Sequence, residues 1–236
     1  MARKPKLQPT SDDQNVEPKS ARTRQRILDA AAHVLSLKGY SGTRLSDVAD
    51  YAELQAPAIY YYFPSREELI EEVMWSGIAD MVQHLQQVID EIPSDVPPIE
   101  RIMIAIDAHL RHELELSDYA TASIRNSGQV PEHLRARQLA EEAHYGTIWR
   151  KLIKDAAAEG QIRSDLDLHV TQMLIVGSLN WAAEWWTPRR GSLDVVVRTA
   201  QALIRNGIAP SATDEEKTSP RRRRAPRKTA AKSKTA

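Results

Sequence analysis

The chain of 236 residues has no cysteine. That excludes a disulfide framework, a thiolate metal site and a cysteine nucleophile. Glycine is scarce, at 9 residues, which argues against a turn-rich β protein. No apolar run reaches the roughly 18–20 residues that a membrane-spanning helix needs. The most apolar stretch, Met173 to Trp186, is interrupted by Asn180 and Glu184. The opening Met-Ala-Arg-Lys-Pro-Lys lacks the apolar segment of a secretory signal. These absences predict a soluble, cytoplasmic protein with no membrane partner.

What is present favours helix. Apolar residues make up 42% of the chain, enough for a sizeable core, and Ala, Leu, Glu, Gln and Arg are plentiful. Formal charge sums to zero, with 32 basic and 32 acidic residues. The balance conceals a split. Eight basic residues (Arg221, Arg222, Arg223, Arg224, Arg227, Lys228, Lys232, Lys234) and no acid lie between Thr218 and Ala236, so the body is acidic and the tail basic. Such a split points to nucleic acid or an acidic surface. The tail is expected to act as a nonspecific DNA clamp, or else as a solubilising segment.

Apolar spacing predicts an all-α fold of about nine helices. Residues 1–19 read as a disordered extension. Ser20 is a candidate N-cap for a helix with Ile27, Ala31, Val34 and Leu35 on one face, stopped at Gly39. Thr43 is the next candidate cap, for a short helix from Arg44 to Tyr51. A second short helix runs from Ala56 to Phe63, with Pro57 tolerated in its first turn. Ser65 and Glu68 form a capping box. It opens a long helix to about Glu91, whose stripe is Ile70, Met74, Ile78, Met81, Leu85, Val88 and Ile92. Further helices are predicted over Ile99 to Leu116, Ala120 to Ser127, Glu132 to Glu159, Leu168 to Trp186 and Leu193 to Asn206. The organisation read from this is residues 20–65 as a DNA-binding unit, 66–208 as a larger helical domain, and 209–236 as a disordered basic tail.

Two short helices joined by a tight turn and buttressed by a third form a helix-turn-helix pattern. Val48, Ala49, Ala52, Leu54 and Ile59 can build the small core that fixes their angle. The second helix then presents Ala56, Ala58, Tyr60 and Tyr61. Small residues let a helix lie deep in the major groove, an alanine methyl can touch thymine, and tyrosine hydroxyls reach phosphates or base edges.

These residues resemble the TetR family of transcriptional regulators. The resemblance rests on Ile27-Leu28-Asp29-Ala30-Ala31, Gly39-Tyr40, Asp47-Val48-Ala49 and the run Tyr60-Tyr61-Tyr62-Phe63-Pro64-Ser65-Arg66-Glu67-Glu68-Leu69. It implies an all-helical homodimer in which the first three helices bind a double-stranded DNA operator and the rest bind an effector and dimerise. It places Thr43, Arg44, Gln55, Ala56, Pro57, Ala58, Tyr60, Tyr61 and Arg66 nearest DNA. The family usually has glycine in the turn where this chain has Glu53, and Ser or Thr where it has Gln55. A two-fold dimer would set its recognition helices one turn of B-DNA apart, about 34–36 Å.

The C-terminal half is similar to family members that sense CoA thioesters of fatty acids or steroid fragments. Trp149, Leu152, the segment Glu159 to Asp167, Trp181, Trp185-Trp186 and Pro188-Arg189-Arg190-Gly191 carry that likeness. Candidate pocket residues are Met74, Ile78, Met103, Ile106, His109, Tyr145, Trp149, Trp181 and Trp185. Tryptophan and methionine suit an adaptable apolar pocket, though the same residues could pack the core or a subunit interface. Leu174, Ser178, Trp181 and Trp185 are expected to face Val195, Thr199, Ala202 and Leu203 in a four-helix dimer contact. No cofactor is expected.

Two rival functions remain at this stage. One is an architectural protein coating DNA through its tail. The other is a metal-dependent enzyme built on His109 and His112. That pair is not in a His-Glu-x-x-His arrangement, has no evident third ligand, and reads better as helix surface. No nucleophile elbow, phosphate loop or dinucleotide fingerprint is present.

Overall fold

The computed structural model describes residues 19–210. The expected extension up to residue 18 and the basic tail from residue 211 lie outside the described residues. Within them there are nine α-helices of seven or more residues, one four-residue helical turn, and no strand. In order these are α1 (Lys19–Gly42), α2 (Leu45–Tyr51), α3 (Ala56–Tyr62), α4 (Arg66–Asp90), α5 (Pro98–Arg111), α6 (Asp118–Asn126), α7 (Ala136–Ala158), α8 (Leu168–Asn180), α9 (Ala182–Trp185) and α10 (Leu193–Ile208).

Local chemistry explains most boundaries. Ser65 Oγ accepts the Glu68 N–H at 3.1 Å, the expected cap of α4. The chain kinks at Gly39, whose φ of 71° suits a residue without Cβ. Other expectations are corrected. Ser20 does not cap α1, which already includes Lys19. Thr43 does not cap α2. Its hydroxyl donates instead to the Gly39 carbonyl at 2.8 Å, closing the preceding turn, and Arg44 takes the cap position. Helix α7 starts at Ala136, because Pro131 leads into a 3₁₀ turn over Glu132–Leu134 whose Leu134 is buried. The helix expected to reach Leu116 stops at Arg111 and passes into a π-turn, His112–Leu116. Such turns are rare and concentrate at functional sites. The helix expected over Leu168 to Trp186 breaks at Trp181.

Two hydrophobic cores result. One gathers Ile27, Leu35, Val48, Ile59, Phe63, Ile70 and Met74 from α1–α4. The other gathers Ile78, Met81, Ile102, Ile106, Trp149, Ile153 and Leu179 from α4, α5, α7 and α8. The stripe of α4 crosses from the first core to the second between Met74 and Ile78, past Gly77. Met74 thus belongs to the α1–α4 core rather than to an effector pocket.

Candidate nucleic-acid interface and internal cavity

The angle between α2 and α3 is set from inside. Val48, Ala49, Ala52 and Ile59 are buried, with Leu45, Leu54, Ala56 and Tyr62 packed on them. The joining turn is closed by Leu54 N–H on the Ala49 carbonyl at 2.9 Å. Glu53 in that turn has φ 54°, the left-handed region. A Cβ there costs about 1–2 kcal/mol, which is why glycine is common at this place. Glu53→Gly is expected to raise stability by about 0.5–1 kcal/mol, after the offset from a freer unfolded chain. A denaturant midpoint at or below that of the parent would contradict this.

With one face of α3 locked inward, the other is open. Tyr61 is 82% exposed and Tyr60 58%. Gln55 and Pro57 are exposed, and Ala56 and Ala58 partly so. Gln55 occupies the cap position of α3 without a side-chain cap bond. A shallow hollow beside α3 brings Thr43, Arg44, Tyr60 and Arg66 together. Their roles in it differ. Thr43 is buried, so its side chain supports the hollow. Arg66 is a strut: its Nε donates to the Thr43 carbonyl at 2.8 Å, Nη2 donates to the Tyr40 carbonyl, and the guanidinium lies over the Tyr40 ring. Arg44 is exposed at the rim.

Most other basic residues of this unit are also engaged. Arg24 pairs with Glu72 at 2.9 Å, Lys38 with Asp47 at 3.0 Å, and Arg26 donates to the Ala52 carbonyl. Charge counting in the sequence could not separate these struts from Arg44.

The larger domain holds a cavity of about 260 Å³ between α4, α6, α7 and α8. Its apolar wall includes Ile78, Met81, Ile124 and Val176, and its polar wall Ser123, Glu142, Tyr145, Gln172 and Asn180. Of the nine pocket candidates, Ile78 and Tyr145 line it. Met103 and Ile106 are buried in the core. Trp181 (65% exposed) lies on the surface. Trp185 faces an apolar groove between α8–α9 and α10. Val195 and Leu203 of α10 line this groove and are exposed; Leu174 on α8 and Trp181 at its end are exposed too, and these are residues expected to meet a second subunit. Arg190 is turned back onto the Trp185 carbonyl at 2.6 Å.

Behind Tyr145 lies a polar cluster that joins the expected candidates His109, Tyr145 and Trp149 to Glu113, which the sequence reading did not single out. His109 Nδ1 is 2.7 Å from Tyr145 Oη. His109 Nε2 approaches Glu113 Oε2 to 3.1 Å without good hydrogen-bond alignment, and both side chains are fully buried. Burial pushes the Glu113 carboxyl above its usual range, against the opposing pull of His109. Trp149, also fully buried, contacts both rings edge-on. His112 is buried too. Its Nε2 meets Asp80 at 2.9 Å, and its ring stacks on His84. The helix-surface reading of His109 and His112 is therefore corrected: tertiary partners on α4 and α7 bury them. Among the described residues no group of three His, Asp or Glu could hold a metal ion. No helix there is long and apolar enough to cross a membrane.

Helix α6 joins the cavity to the DNA-facing unit. Ser123, Ile124 and Ser127 line the cavity. From the same helix Asn126 Oδ1 accepts the Tyr40 N–H at 2.7 Å, Arg125 donates to the Ser36 carbonyl at 2.7 Å, and Tyr119 donates to Asp29 at 2.8 Å. These α6 partners lie about 90 residues away along the chain, a separation that local apolar spacing does not record.

Residues 27–73 match the model of bacterial regulatory proteins of the tetR family, and residues 95–209 match that of the tetracyclin repressor-like C-terminal domain. The chain is 22% identical over 196 residues to the HTH-type transcriptional repressor KstR2 of Mycolicibacterium smegmatis, covering 83% of this chain and 95% of that one. FadR from Bacillus subtilis in complex with stearoyl-CoA has the same fold, with a TM-score of 0.64 and 20% identity over 78% of this chain and 98% of that one. AibR in complex with isovaleryl coenzyme A and operator DNA superposes with a TM-score of 0.68 and 19% identity, over 77% and 96% of the two chains.

Proposed function

Because the chain belongs to the TetR family of bacterial regulatory proteins, we propose that it is a homodimeric, cytoplasmic transcriptional repressor released from a near-palindromic operator by a small lipophilic or CoA-thioester effector. One observation supports the DNA reading above all: α3 buries Ile59 and holds Tyr60 and Tyr61 out in solvent. Exposed aromatics on a rigid short helix suit a groove, and Arg44 beside them suits a phosphate. Gln55, Ala56, Pro57 and Ala58 complete the inserted edge, while Thr43 and Arg66 hold it in place.

The effector reading is supported by the cavity and by the ligands named for FadR and AibR. An effector releases DNA only if it binds the DNA-incompetent state more tightly, typically by about 1–3 kcal/mol. Membership of a regulator family supports a non-catalytic role. Pairing of α8 and α10 with a second copy would cover the exposed apolar faces.

The test is a thermal-shift screen of acyl-CoA and steroid-CoA thioesters, followed by footprinting with each compound that binds. The expected result is one protected palindrome that disappears when the compound is added. Uniform protection along the duplex would instead favour an architectural coat, and no protection at all would overturn the reading.

A further inference from the structure

The basic tail leaves the body at the end opposite α3. Helix α4 marks the length of the molecule. Its first residue, Arg66, is tied to the Tyr40 and Thr43 carbonyls in the DNA-facing unit. Its 25 residues carry the chain about 37 Å away from there. Three residues past its end, the Pro93 carbonyl accepts from Arg101 of α5 at 2.9 Å. The neighbouring Glu100 holds Arg205 of α10, with Nη2 donating to Oε2 at 2.6 Å. The Ile208 carbonyl then accepts the Arg163 N–H at 2.9 Å. Pro210, two residues on, thus stands level with the far end of α4.

The basic cluster begins at Arg221, eleven residues past Pro210. Eleven residues span at most about 40 Å in any conformation. Arg221–Arg224, half of the eight cations, would meet operator phosphates at α3 only at the limit of their reach. A two-fold pair seated on one operator turns both α3 helices to one side and both tails to the other. The far end itself exposes Asp90, Glu91, Asp95 and Glu159, so the body there repels a polyanion and contact falls to the tail.

We propose that the tail holds a second DNA duplex at the far end while α3 holds the operator, so that one dimer bridges two stretches of DNA. Eight cations with no acid between Thr218 and Ala236 suit a duplex, which carries one negative charge per roughly 1.7 Å. The apolar residues of that segment are alanine and proline alone, which gives a lipid bilayer no side chain to bury. The contact is electrostatic and reads no sequence. The proposal rests on the operator reading of α3 and adds a second partner site to it.

The footprinted operator, fixed on beads and saturated with the full chain, is offered a labelled duplex of unrelated sequence. The comparison is the full chain with all eight tail cations replaced by glutamine. The parent is expected to capture the labelled duplex, and the variant to capture it at least about tenfold more weakly, with equal retention on the operator. Each doubling of salt should weaken capture by up to roughly a hundredfold, the steepness of eight phosphate contacts. No capture by the parent, the result were the tail docked on the carboxylates of its own body, would overturn the proposal. So would equal capture by the variant, or loss of its operator retention, which would put the tail on the operator duplex. Mixed-sequence RNA and phosphatidylglycerol vesicles compete at equal phosphate concentration, and preferential displacement by either would overturn the choice of DNA. Failure of the regulatory reading looks different, because footprinting then finds no operator to fix. The unrelated duplex is in that case titrated directly onto parent and variant, and equal affinities would overturn the role of the tail.

Discussion

Replacing Arg44 and Tyr61 together by alanine is expected to abolish operator binding while leaving the oligomer unchanged. Both side chains are exposed, so neither substitution removes core packing. Each contact to a base edge or phosphate contributes about 1–3 kcal/mol, so losing both in each of two subunits weakens binding by at least roughly a thousandfold. A gel shift on the footprinted operator measures the loss, and sedimentation equilibrium checks assembly. The same double substitution at Arg66 and Tyr61 would be a poorer test. Arg66 ties α4 to the Tyr40 and Thr43 carbonyls, and its removal would confound contact with folding. Unchanged affinity in the Arg44 and Tyr61 variant would mean that another surface meets DNA.

Gly77→Ala is expected to be strongly destabilising although it adds a single methyl. A Cβ at Gly77 would stand 2.2 Å from both the Tyr119 carbonyl oxygen and Ser123 Oγ. Ser123 is itself fixed, donating to the Met74 carbonyl at 2.8 Å. The contact can be relieved only by moving α6 away from α4, against the ties from α6 to α1. Overpacking of this kind costs about 1–3 kcal/mol, a fall in melting temperature of roughly 3–10 °C for a chain of this size. Operator affinity should fall as well, since Asn126 holds the Tyr40 N–H one residue beyond the Gly39 kink. A melting temperature within a degree of the parent would show that the α4–α6 approach is looser than the structure has it.

How much could be read beforehand depended on how local each determinant was. The Ser65 cap, the α4 stripe and the break at Gly39 are written within a few residues, and the structure has all three. Exposure of Tyr60 and Tyr61 followed from the burial of Ile59 one step away. Met74 and Ile78 sit on one stripe yet enter different cores, because the partner surface changes along α4, and spacing carries no record of that. Burial of His109, His112 and Glu113 depends on α4, α7 and the residues around Ala183. The cavity's wall depends on Gln172 reaching Gly146 from another helix. Such facts emerge only when distant segments meet. Glu53 was legible in another way: a residue with Cβ in a turn that favours glycine marks stored strain.

The exposed apolar side chains of Leu174, Trp181, Val195 and Leu203 would have a genetic consequence under the proposed pairing of α8 and α10. Subunits paired through this surface would combine without regard to the state of their DNA-reading ends. An allele altered at Arg44 and Tyr61 would still make chains able to capture normal ones. Mixed pairs would grip only half an operator, so the defect would be dominant over a wild-type copy in the same cell.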